Sequence, residues 1–67
     1  MKLNEYLHTK HLTPAAFAAI CGVSKSTINR ILHRKRRPGL RTLAAIQTAT
    51  KGKVTAADFA DETYERG

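Results

Sequence analysis

Cysteine occurs once in these 67 residues, at Cys21, tryptophan not at all, and the aromatic side chains amount to two Tyr and two Phe. A single thiol cannot close an internal disulfide, so the fold must stand without a cross-link, as suits a reducing compartment. Cys21 reads as a core residue. Four aromatics, mostly at core-like positions, leave no platform on which unpaired bases could stack, which argues against a reader of single-stranded RNA. Glycine (four) and proline (two) are also sparse, and with Ala, Leu and Ile abundant that favours helices over strands. No run approaches the roughly 18 consecutive apolar residues of a membrane span, and the opening MKLNEYLHTK lacks the apolar stretch of a signal peptide. The expected location is the cytoplasm, away from any membrane.

Ligand sets are missing too. His8 and His11 lie three apart, yet a metal site needs three or four ligands and no cysteine or carboxylate cluster joins them, so they read as a solvated pair and no metal is expected. Cys21 and the three histidines stand at no spacing that makes a nucleophile and its base, and a domain of this size has little room for a pocket. Neither an enzyme nor a cofactor is expected.

Acids are absent where bases are dense. Twelve Lys and Arg stand against five Asp and Glu, a net charge of +7. Residues 1–57 hold eleven of the twelve basic residues with Glu5 as their one acid, whereas 58–67 hold Asp58, Asp61, Glu62 and Glu65 against Arg66. Between Lys25 and Arg41 come seven basic residues and no acid. Such a block is the electrostatic footprint of a protein that meets a phosphate backbone. The alternative is a solvated basic face with no polyanion partner.

A chain of this length makes one domain, 1–67, because it buries only about 60% of the surface its unfolded form exposes and cannot hold a second core. Leu3, Tyr6 and Leu7 at i, i+3 and i+4 predict a first helix over about Lys2 to Lys10. Thr13 before Pro14 is a helix start, since the hydroxyl can accept from an orphan amide and Pro gives up an N–H that had no partner. Gly22 stops that second helix after Cys21. Ser24 caps a third, with Ile28, Ile31 and Leu32 as its buried stripe and Lys25, Ser26, Asn29, Arg30 and His33 on the other face. After Pro38 and Gly39, Leu40, Leu43 and Ile46 mark a fourth helix ending before Gly52. Thr55 and Asp58 form a capping box for a short fifth. A short acidic tail follows at about 60–67, whose last residues are expected to fray.

Helices two and three, about 14–33, are joined by some three residues with glycine in the turn, the pattern of a helix-turn-helix. Ala18 falls where the two helices approach, Gly22 at the turn and Val23 in the corner, and a larger side chain at Ala18 or Gly22 is expected to force the crossing open. The segments TPAAFAAICGVSKSTINRIL, RKRRPG and LRTLAAIQTATKGKVTAADF, spanning Thr13 to Phe59, resemble the phage-repressor, Cro/CI-type helix-turn-helix family. The resemblance implies an all-α, compact bundle of four to five short helices of the lambda-repressor-like kind, with a recognition helix at Lys25 to His33. It also implies a symmetric homodimer on a palindromic double-stranded DNA operator. One departure is Pro14, where many members have a glutamine that contacts the DNA backbone.

Carried over by position, the base-reading candidates are Lys25, Ser26, Asn29 and Arg30. Arg30 and Lys25 can donate to guanine O6 and N7, and Asn29 can pair bidentately with adenine. The backbone-contacting candidates are Ser24, at a helix N-terminus that attracts phosphate, Thr27 and His33 at the edge of the face, and Arg34, Lys35, Arg36 and Arg37 at the groove wall. The function so implied is sequence-specific DNA binding by a transcriptional regulator, most simply a repressor that occupies its operator and resides on the nucleoid when bound. The other reading is an antitoxin or anti-repressor type module that uses the same fold to cover another protein, its acidic tail mimicking nucleic acid or docking on a basic partner. A protein-binding surface would expose aromatic or aliphatic anchors on the Lys25–His33 face, and that face has none. Ile20 falls off the apolar stripe of Phe17, Ala18 and Cys21 and reads as half-exposed padding or as part of a partner surface.

Overall fold

The computed structural model describes residues 1–60 and 62–64, and its elements run α1 (Leu3–Lys10), α2 (Pro14–Cys21), α3 (Lys25–Leu32), α4 (Leu40–Ala49) and α5 (Ala56–Ala60). There is no strand among the described residues. Asp61 and residues 65–67, part of the expected acidic tail and its frayed end, lie outside them. The radius of gyration is 10.6 Å, close to the about 11 Å of a packed domain of this length.

The helix starts follow from local chemistry. Thr13 Oγ1 accepts from the Ala16 amide at 3.1 Å with Pro14 in the first turn. Ser24 Oγ accepts from the Thr27 amide at 3.2 Å and pairs with the Thr27 hydroxyl at 2.9 Å. The helix ends are equally local. Among the described residues three that are not glycine adopt the left-handed backbone, His11, Arg34 and Lys51, and all are basic and sit just past a helix, where the last carbonyls carry partial negative charge.

The core draws on every helix: Leu3, Tyr6 and Leu7 from α1, Phe17 and Ala18 from α2, Ile28 and Ile31 from α3, Ile46 from α4 and Phe59 from α5, joined by Val54. The rings of Tyr6 and Phe17 meet edge to face at 6.2 Å. Thr50 is buried among them without penalty because its hydroxyl donates to the Ile46 carbonyl at 2.8 Å and accepts from the Val54 amide at 3.1 Å. That bridge ties the end of α4 to the loop before α5.

Three expectations change. Leu40 is 87% exposed, so the buried stripe of α4 begins at Leu43, half-buried against the core, and continues to Ile46; the first turn of α4 overhangs the core. Cys21 is only partly buried at the core's edge, where desolvation still pushes its thiol up from the usual value. Gly22 is not a close-approach residue: a Cβ there would meet nothing within 4 Å. What calls for glycine is its φ of +74°, with Val23 donating back to the Ala18 carbonyl at 3.0 Å. Gly22→Ala is therefore expected to cost about 1 to 2 kcal/mol through backbone strain, and Gly22→Asn less, since Asn tolerates this conformation. Equal losses in thermal melts of the two variants would mean that space decides after all.

At α5 half of the expected capping box forms. The Asp58 carboxylate accepts from the Thr55 amide at 2.8 Å, while the Thr55 hydroxyl donates to the same carboxylate at 3.3 Å instead of capping the Asp58 amide. The Thr55 amide, and next the Met1 amine at 3.0 Å from Oδ1, hold the Asp58 carboxyl below its ordinary value. A depressed carboxyl adds stability above its unfolded value, about 3.9, and loses that contribution as pH falls through the native one. The difference in melting temperature between the wild type and Asp58→Asn should thus hold steady near neutrality and shrink below about pH 4. A gap unchanged down to pH 2 would show that the carboxylate charge is not what stabilises the turn.

Candidate nucleic-acid interface

Helix α3 is two-faced because of its spacing. Ile28 and Ile31 are buried, whereas Lys25, Ser26 and Arg30 are exposed and Asn29 is half-exposed on the opposite side. At about 100° per residue the four polar positions and His33 span less than half the circumference. No acid lies in the first turn of α3, so its free amides keep their partial positive charge. The large apolar residues exposed among the described residues, Met1, Ile20 and Leu40, all lie elsewhere.

Residues proposed for the DNA backbone fall into separate environments. Ser24 and Thr27 flank the start of α3, their hydroxyls engaged with each other in the cap. His33 is exposed at its end as the C-cap. There the loop folds back: the Arg30 carbonyl accepts from the amides of both Lys35, at 2.8 Å, and Arg36, at 3.3 Å. This wraps the basic run around the negative end of α3. Lys35 and Arg36 are exposed, and Arg36 lines a shallow groove with Thr27, Arg37 and Thr42 between α3 and the start of α4.

Arg34 and Arg37 have partners near the end of the chain. The Arg34 guanidinium pairs with Glu62. Arg37 donates to the Phe59 carbonyl at 3.3 Å and stacks on Tyr64, 4.7 Å from the ring centroid. Sequence reading missed both contacts, since they link residues 22 to 28 apart; the one available signal was the opposition of an acidic tail to a basic loop.

Pro14 occupies the first turn of α2, and so no amide side chain stands there. His8 and His11 are both exposed, and no three His, Cys, Asp or Glu converge among the described residues. No helix of the described residues is long and apolar enough to cross a membrane. A helix-turn-helix family model matches residues 4–55, from the first turn of α1 to the cap of α5. No curated protein and no solved structure matches the chain.

Proposed function

This chain belongs to the Cro/CI-type helix-turn-helix family of DNA-binding transcription regulators, and from that premise we propose that it is a sequence-specific repressor acting as a homodimer by operator occupancy. The observation that carries this reading is the acid-free polar face of α3, set opposite Ile28 and Ile31 and clear of apolar anchors. Lys25, Ser26, Asn29 and Arg30 then meet base edges in the major groove. Ser24, Thr27, His33, Lys35 and Arg36, with Arg34 and Arg37 once freed, meet phosphates. A module that covers another protein would present aliphatic or aromatic side chains on that face.

Selection of binding sites from random duplexes, followed by footprinting, tests the proposal. A protected site with two-fold symmetry supports specificity and dimerisation together; binding that never enriches a motif refutes the sequence-specific reading. Arg36→Ala separates positioning from reading. It should weaken binding to every duplex alike and reduce the slope of log K against log salt by about 0.9. A changed base preference with an unchanged slope would place Arg36 inside a groove.

A further inference from the structure

The four cations that follow α3 are not equivalent. Arg34 is held by Glu62 and Arg37 by Phe59 and Tyr64, and the acid at the centre of that contact is Glu62, whose carboxylate also lies 3.6 Å from Lys2 Nζ. The Glu62 side chain is 12% exposed and that of Arg34 59%. The carboxylate is therefore largely buried, with Lys2 near one oxygen, and meets a largely solvated guanidinium at the other. The Arg34 end of the pair is solvated and open to screening by salt, so Arg34 can change partner while Glu62 stays in place. The turn itself does not call for arginine. Arg34 has φ +57°, which glycine adopts at less cost, so the side chain has to account for the residue.

Building on the assignment of Arg34 and Arg37 to phosphate, we infer that Glu62 and Tyr64 form an internal competitor for duplex phosphates. In the free protein the carboxylate holds the Arg34 guanidinium and the ring covers that of Arg37, and a phosphate must displace them. Desolvation, then Glu62, raises the Tyr64 phenol above its usual value. Tyr64 hence acts as a neutral stacking face, and Glu62 supplies the charge. The competition lowers affinity for all duplexes and leaves base preference untouched, because neither arginine lies on the α3 reading face. The segment thus lowers the occupancy of duplex DNA by a strongly basic domain, at specific and non-specific sites alike.

The test is equilibrium binding of the full chain to one arbitrary duplex across a salt series. Glu62→Gln should bind about two- to fivefold tighter than Glu5→Gln, a charge-matched change at an exposed acid of α1, as expected for release from a pair whose arginine is solvated. Its slope of log K against log salt should steepen by about 0.9 relative to that control. Arg34→Ala should change little in the wild type and abolish the gain in the Glu62→Gln background. Tyr64→Leu should give the corresponding gain through Arg37, and it decides the matter alone if circular dichroism shows Glu62→Gln unfolded. Glu62→Gln binding no tighter than Glu5→Gln, or Arg34→Ala costing the same in both backgrounds, overturns the competitor. A wild type that binds no duplex even at low salt overturns the DNA reading beneath it, a different and separately visible result.

Discussion

Ala18→Leu is expected to destabilise the fold severely. Ala18 is 2% exposed on α2, and α2 packs chiefly on α3, so three added carbons must either part the two helices or force neighbouring side chains off their rotamers. Overpacking of this kind costs about 1 to 3 kcal/mol, from a total that in small domains lies near the lower end of about 5 to 15 kcal/mol. Each kcal/mol lowers the melting temperature of a domain this size by roughly 4 to 8 °C. The same substitution one residue on, at the exposed Ala19, should shift stability by no more than about 0.5 kcal/mol. Thermal melts followed by circular dichroism measure both. If Ala18→Leu melted like Ala19→Leu, the packing of α2 on α3 could not be as tight as the burial of Ala18 implies.

Arg30→Ala should have the largest effect on recognition. An exposed arginine midway along the polar face of α3 can make a bidentate contact to guanine, and loss of one such contact costs about 1 to 3 kcal/mol on the preferred sequence, some five- to 150-fold in affinity. Random DNA should feel much less, since there only a phosphate-directed charge is lost. Asn29→Ala should act in the same sense at a neighbouring position. In a two-fold dimer each loss must appear twice, mirrored about the dyad, with half-site centres about 10 to 10.5 base pairs apart or a multiple of that. Parallel site selections with the wild type and both variants give the answer. Identical motifs with identical information at every position would remove α3 as the reading element and bring the protein-interaction module forward.

Both expectations start from features that are local in sequence. Thr13–Pro14, Ser24 and the glycine after Cys21 set the ends of α2 and the start of α3 within a residue of their observed positions, because a cap or a left-handed turn is made by atoms three to five residues apart. The two faces of α3 are equally legible, since the period of a helix converts the spacing of Ile28 and Ile31 directly into a direction. The reading face and the family could thus be proposed before any fold was known.

What the tertiary structure decided involves partners far along the chain or the shape of the packed whole. Leu40 has the spacing of a core residue and is exposed because α4 overhangs the core at its first turn; periodicity gives a direction but not the point where a neighbouring helix ends. Gly22 stands in open space and is needed for its backbone alone, a distinction invisible until the surroundings are in place. Thr50 is polar and buried because the loop returning to Val54 supplies an amide for its hydroxyl. Arg34 and Arg37 read from the sequence as members of one uniform basic run, yet the fold sets them against Glu62 and Tyr64. Local periodicity and capping fix which residues form helices and which way they face, whereas only closure of the chain over some 20 to 30 residues determines which charges meet.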